Sequence, residues 1–140
     1  MYQENVSKFR FNGYVARDIK FELNPMYDGE KDSRLDLNFD YDLNLAYEEK
    51  KAIVQLACVV FEDSEENNYP FTLEVELLGF FEFDSDLEEA TVRRMMELNG
   101  VTILFPYLRS TISNITSSAG VQNVVLPTMN IVNMLKKNKK

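Results

Sequence analysis

The sequence predicts an α+β fold, a four-stranded antiparallel sheet with C-terminal helices packed on one side, and three observations carry that prediction. Before residue 84, apolar residues recur at every second position in four separate runs, the period of strands that bury one face. After residue 86 the spacing changes to that of helices. Short polar segments separate the runs, so strands come first and helices last, the pattern of a meander-like sheet with its helices segregated to one face. With 140 residues and 45% hydrophobic content, a single domain spanning 1–140 is expected, long enough for a moderate core and too apolar for wholesale disorder.

The first strand runs from Phe9 to Leu23. Its odd positions are Phe9, Phe11, Gly13, Val15, Arg17, Ile19, Phe21 and Leu23, and its even positions are mostly charged or amide residues, so one face is wet. Gly13 marks a bend or bulge, because a strand this long coils with its sheet. Asn24-Pro25 and Asp28-Gly29 close the strand and open a polar loop. The second strand sets Leu35, Leu37, Phe39, Tyr41, Leu43, Leu45 and Tyr47 against Asp36, Asn38, Asp40, Asp42 and Asn44. Glu48-Glu49-Lys50-Lys51 then makes a tight antiparallel hairpin to the third strand, Ala52 to Phe61. That strand has Val54, Leu56, Cys58 and Val60 on one face and Ile53, Ala57, Val59 and Phe61 on the other, so both faces want cover. The acidic turn Glu62 to Asn68 leads into the fourth strand, Phe71 to Phe83. Its apolar face is Phe71, Leu73, Val75, Leu77, Phe81 and Phe83, and the other is Thr72, Glu74, Glu76, Leu78, Phe80 and Glu82.

Ser85-Asp86-Leu87-Glu88 has the pattern of a capping box, which starts a first helix from about Asp86 to Leu98 that Asn99-Gly100 ends. A long helix then begins near Thr102, with Pro106 in its first turn, where a missing amide is harmless. Val101, Leu104, Phe105, Leu108, Ile112 and Ile115 form its buried stripe, and Gly120 supplies a left-handed cap. Thr128 or Asn130 caps a short last helix carrying Ile131, Met134 and Leu135. One sheet face is covered by the long helix, leaving the opposite apolar residues at 53, 57, 59, 61, 78 and 80 partly exposed in a monomer. Self-association or a bound client would cover them.

Catalytic chemistry finds little support. There is no histidine, which removes the usual imidazole base and most zinc ligand sets, and no metal or other cofactor is expected. Cys58 stands among Leu56, Ala57, Val59 and Val60, surroundings that raise a thiol's pKa, so it is a buried thiol rather than a nucleophile. A single cysteine also excludes an intramolecular disulfide framework and is compatible with a reducing compartment. The acids of residues 62–66 lack calcium-loop spacing, and Asp36, Asp40 and Asp42 line up along solvent. The five glycines are scattered, so no phosphate loop is present. A formal net charge of −8 argues against generic binding to nucleic acid or anionic membrane, and Lys136 to Lys140 reads as a solvated basic end. Met1 to Asn5 lacks the basic and apolar regions of a signal peptide, and no run approaches a membrane span, so a cytoplasmic, non-enzymatic protein is expected.

Ile103-Leu104-Phe105-Pro106-Tyr107, an amphipathic helix, a glycine, Val124-Val125-Leu126-Pro127 and Met129-Asn130-Ile131 together resemble the C-terminal half of the SecB family of export chaperones. Asp18-Ile19-Lys20-Phe21-Glu22, Leu35-Asp36-Leu37-Asn38 and the run from Leu73 to Phe81 follow the family's order and spacing, so the resemblance spans most of the chain. It implies a homotetramer built as a dimer of dimers through paired long helices, which makes Leu108, Ile112 and Ile115 candidate oligomer contacts. It also implies apolar surface grooves for unfolded chains. Leu35 and Leu37 match groove positions, although as core residues they need no such role. Leu78, Phe80, Met129, Ile131 and Met134 are further client-binding candidates from their apolar character. Asp18, Glu22 and Glu74 match acids that the family presents to the translocation ATPase SecA, whereas by spacing alone they are an ordinary solvated sheet face.

The function expected is therefore an ATP-independent holdase that binds unfolded proteins such as export precursors and delivers them to the translocation ATPase. The alternatives are a SecB-like chaperone of a toxin–antitoxin system, or an oligomeric adaptor module that binds one folded partner. Suppression of aggregation of several unrelated unfolded proteins separates the chaperones from the adaptor.

Overall fold

The computed structural model describes residues 8–30, 34–84 and 86–138. The elements are β1 (Lys8–Leu23), β2 (Leu37–Ala46), β3 (Lys51–Val60), α1 (Ser64–Asn67), β4 (Phe71–Asp84), α2 (Glu89–Ala119) and α3 (Ile131–Asn138). The four strands form one antiparallel sheet in the order β1-β4-β3-β2. The simple meander holds for β2, β3 and β4, but β1 pairs with β4 rather than with β2, so the chain crosses from one sheet edge to the other after β1. Asn24 fixes this arrangement. Buried at the end of β1, it donates its backbone N–H to the Pro70 carbonyl (3.0 Å) and its side-chain amide to the carbonyls of Ser64 (3.1 Å) and Tyr69 (2.9 Å). The end of β1 is thereby tied to the entry of β4.

β1 departs from its expected alternation, and the cause is two irregularities. Phe11 pairs with Phe81 and Tyr14 with Gly79, so Asn12 and Gly13 together oppose one residue, with Gly13 at φ +105°. A second shift falls between Ala16 and Asp18. A one-residue slip exchanges faces, so Tyr14 and Ala16 join Phe9 and Phe11 on the helix side while Val15 moves to the outer face. The second shift restores the original phase, putting Ile19, Phe21 and Leu23 on the helix side and Asp18, Lys20 and Glu22 outside.

β2 and β3 pair without interruption from Leu37–Val60 to Ala46–Lys51, around the expected tight turn. The acidic turn is more ordered than expected, because it contains the single turn α1. Phe61, Asp63 and Asn68 take left-handed backbone conformations around it. Thr72 braces it by donating its hydroxyl to the Phe61 carbonyl (2.6 Å) and accepting the Ser64 N–H (3.2 Å). Phe61 is consequently not on the outer face as its alternation suggested. It is buried against Tyr69 and Phe71, with ring centroids 4.9 and 5.1 Å away.

The helical region is one helix of 31 residues, not two. Asn99-Gly100 does not end it. Gly100 is where α2 touches the sheet, since a Cβ there would lie 2.5 Å from Val54 Cγ2. Pro106 is inside the helix rather than in its first turn. Its cost is limited because Pro106 and Thr102 are exposed, so the carbonyl left without an amide partner faces water. At about 1.5 Å per residue α2 is roughly 46 Å long, about the reach of the 14-residue β4, and so it can cover the sheet along its length. Val54, Leu56, Leu73, Leu77, Leu104, Leu108 and Ile112 are fully buried between the two layers.

Of the expected capping box, Ser85 lies outside the described residues, and α2 begins after an extended Glu88 with no side-chain cap hydrogen bond. Gly120 closes α2 at φ +81°, as expected. The connection to α3 is fastened by Asn123, whose Oδ1 accepts the hydroxyls of Ser113 and Ser117 (both 3.1 Å), and by the buried Thr116 hydroxyl, which accepts the Val124 N–H (3.0 Å). Asn130 caps α3, its Oδ1 accepting the Asn133 N–H at 3.0 Å.

Candidate functional site

Two concavities with apolar walls open on the side of the sheet that carries α2 and α3. The first, about 410 Å³, lies between β2 and α3 and is lined by Leu37, Asn38, Phe39, Met129, Asn130, Asn133 and Met134. Its floor follows from the alternation of β2, whose odd residues face the helices, and its roof from the amphipathic α3. Tyr41 holds the two together by donating its hydroxyl to the Leu135 carbonyl (3.4 Å). Burial, followed by the charges of Glu97 and Asp40, pushes the Tyr41 phenol upward, so this donor keeps its proton. The second, also about 410 Å³, is bounded by Tyr27 and Leu35 of the crossover segment, Phe61 and Phe71, and the stretch from Gln122 to Val125.

The client-binding candidates therefore separate into groups. Leu37, Met129 and Met134 meet in the first groove and Leu35 lies in the second. Ile131 opens α3 and packs half-buried against the core. Leu78 and Phe80 are on the opposite, outer face, where Phe80 and Ile53 line a shallow apolar recess of about 440 Å³. Sequence reading missed Phe39, Asn130 and Asn133 in the first groove. In the second it missed Tyr27, Phe61, Val124 and Val125. Phe39 was legible as an inward strand residue, but only the packing of α3 shows that the groove passes it.

Asp18, Glu22 and Glu74 all point to the outer face, as the pairings Asp18–Glu76, Lys20–Glu74 and Glu22–Thr72 require. Glu22 and Glu74 flank a concavity of about 490 Å³ that also gathers Glu62, Asp63, Glu65 and Glu66 from the acidic turn. Asp18 lies farther along the strand, opposite Glu76, which is held by Arg17 (2.9 Å) and Gln55 (2.6 Å). The acids of the turn, read from sequence as solvated, thus extend the negative face.

Leu108 and Ile112 are 0% exposed within a single chain and Ile115 is half-buried, so the first two cannot reach a second protomer. The resemblance makes them oligomer contacts because the long helix carries them, but the sheet already occupies that side of the helix. Apolar residues left uncovered on β1 are Tyr14, Ile19 and Leu23 on the helix side and Val15 on the outer face.

Nothing at these sites suggests bond chemistry. Burial pushes the Cys58 thiol up to about 12, so it is not a nucleophile at neutral pH. Among the described residues no cluster of three metal-ligating side chains exists, and no helix is long and apolar enough to cross a membrane.

Several known proteins are similar to this chain in sequence or fold. The family described as preprotein translocase subunit SecB matches residues 2–140. An uncharacterized protein of Methanocaldococcus jannaschii is 37% identical over 131 residues, covering 90% of this chain and 81% of that one. The protein-export protein SecB of Wolbachia pipientis subsp. Culex pipiens is 27% identical over 146 residues, covering 91% and 87%. The solved SecB-like chaperone of Mycobacterium tuberculosis, in complex with a peptide of the HigA1 antitoxin, superposes with a TM-score of 0.72 over 87% of this chain and 91% of that chain. At 12% identity it shows the shared fold alone. The match along nearly the whole sequence, on this four-stranded sheet with its helices, places the chain in the SecB family, whose members are chaperones and not enzymes.

Proposed function

We propose that this chain is an ATP-independent holdase, which binds apolar stretches of unfolded proteins in its grooves and keeps them from aggregating. The observation that carries this is the open groove between β2 and α3, where Leu37 and Phe39 face two methionines. Methionine side chains are pliable and polarisable, which suits a surface that must accept many sequences. The clients are export precursors in the cytoplasm, and the acidic outer face built on Glu22 and Glu74, with Asp18 beside it, is the docking surface for the translocation ATPase SecA. Assembly is a homotetramer, a dimer of dimers, in which the exposed apolar residues of β1 and the exposed side of α2 make the contacts.

The test is light scattering of several chemically unrelated unfolding proteins at substoichiometric chain. Wild type suppresses aggregation of all of them, and the double variant Leu37→Asp, Met129→Asp loses that suppression while keeping its circular dichroism spectrum. A wild-type chain that suppresses none refutes the holdase. Antitoxin segments, the ligand of the M. tuberculosis neighbour, are included as one client class among the others.

A further inference from the structure

The methionines occupy contrasting environments. Met96 is fully enclosed on the buried side of α2, Met26 is exposed on the crossover segment, and Met129 and Met134 share the groove between β2 and α3. Within that groove Met134 is nearly buried, at 5% exposure, whereas Met129 is half-exposed at the rim. The same walls carry the carboxamides of Asn130 and Asn133. Resting on the holdase function proposed above, we infer that Met129 is an oxidation switch that turns this client groove off.

The chemistry is a two-electron oxygen transfer from a peroxide. The thioether sulfur of Met129 attacks one peroxide oxygen, an S–O bond forms as the O–O bond breaks, and hydrogen peroxide leaves as water. Sulfur is oxidised and the peroxide reduced. A flexible apolar wall becomes a strongly dipolar one, against which an apolar client residue loses its favourable burial. The carboxamides of Asn130 and Asn133 bring N–H donors to the same groove, so the new oxygen can be satisfied locally and the fold kept. Met96, sealed in the core, is shielded from the oxidant.

The test uses the full chain treated with dilute hydrogen peroxide, peptide mapping by mass spectrometry, and binding of fluorescein-labelled, reduced and carboxymethylated lactalbumin. Met26 and Met129 gain oxygen while Met96 does not, and affinity falls about tenfold. Methionine sulfoxide reductases restore it, and the affinity of Met129→Leu, whatever its starting value, is the same before and after the treatment. Met129 remaining reduced after Met26 is fully converted overturns the switch, as does oxidised Met129 with unchanged affinity or equal loss in Met129→Leu. If the untreated chain neither binds lactalbumin nor suppresses aggregation of the other unfolding proteins, the holdase proposal fails on its own. Fluorescence of an apolar dye then decides the switch: loss of dye binding on oxidation of wild type, but not of Met129→Leu, supports it, and equal behaviour of the two refutes it.

Discussion

Gly100→Ala tests how α2 is seated on the sheet, because two effects oppose each other there. By helix propensity, replacing a mid-helix glycine with alanine stabilises by about 1 kcal/mol. Packing acts the other way. The added Cβ would lie 2.5 Å from Val54 Cγ2 and 3.2 and 3.3 Å from its Cβ and Cγ1. Carbon–carbon contacts are comfortable at about 3.5–4 Å, so the layers must part by roughly 1 Å. Val54 is fully buried in a central strand, and its β-branched side chain has no other easy rotamer. Overpacking of this kind costs about 1–3 kcal/mol, and parting the layers also loosens the neighbouring Val101 and Leu104 contacts. Subtracting the propensity gain leaves about 0–2 kcal/mol, and because Val54 is central and the neighbouring contacts loosen as well, the expected destabilisation lies in the upper half of that range, above about 1 kcal/mol. Val54→Ala alone leaves a void and destabilises by about 2–3 kcal/mol. In the double variant the methyl added at position 100 partly fills that void, so the two costs sum to at least about 1 kcal/mol less than the singles predict. Urea denaturation of all four proteins at one fixed concentration provides the comparison, since self-association would otherwise shift the midpoints. Gly100→Ala equal to or more stable than the parent, or strictly additive costs, refutes the seating.

Three further outcomes are expected. Thr116→Val keeps the side-chain shape but leaves the buried Val124 N–H without its acceptor, so it destabilises by about 1–3 kcal/mol in urea denaturation, more than Ser117→Ala at the exposed end of the same cluster. Cys58 has its folded pKa raised to about 12 from an ordinary 9.0, so above pH 9 the unfolded chain gives up the thiol proton first. The stability linked to this group is therefore fully present below pH 9 and is lost as pH rises from about 9 towards 12, which denaturation of Cys58→Ala against wild type across that range resolves as a weaker pH dependence. Replacing Asp18, Glu22 and Glu74 together with Ala leaves the fold and aggregation suppression intact and weakens binding to SecA. Raising salt from about 0.05 to 0.5 M weakens wild-type binding in the same titration, and tight binding unaffected by either change refutes the acidic docking face.

The strands were legible because alternation is a strong local signal. The hairpin at residues 47–50 and the inward sets on β3 and β4 follow from it directly. Strand order was not, since β1 is placed by the hydrogen bonds of Asn24 to residues some 40 positions away. The faces of β1 were half legible. Gly13 signalled a bulge, but nothing local announced the second shift near Arg17 that restores the phase. The helix escapes a local reading at Gly100 and Pro106, where residues that usually punctuate helices serve other ends. One admits the sheet and the other lies where its lost hydrogen bond faces water. The groove was legible in part for the same reason as the sheet order. Leu37 belongs to an inward strand face, but its meeting with Met129 and Met134 depends on tertiary packing more than 90 residues apart in sequence.

The placement of the two surfaces bears on how a holdase hands over its client. The methionine groove is formed by β2, Asn38 included, with α3 and the residues just before it, whereas the acidic concavity is formed by outward-facing Glu22 of β1, Val59 of β3 and Thr72 and Glu74 of β4 with the turn between β3 and β4. The two share no lining residue, so a chain lying in the groove does not itself cover the acids. The two are nonetheless near one another: Leu37 of the groove pairs across the sheet with Val60, and Glu62 of the acidic concavity follows two positions later. Asn38 spans the same distance, donating its side-chain amide to Glu62 at 3.0 Å. A partner that draws on Glu62 competes with Asn38 for that carboxylate, and Asn38 lines the groove. On the function proposed above, client grip and partner docking would therefore meet at the Asn38–Glu62 hydrogen bond.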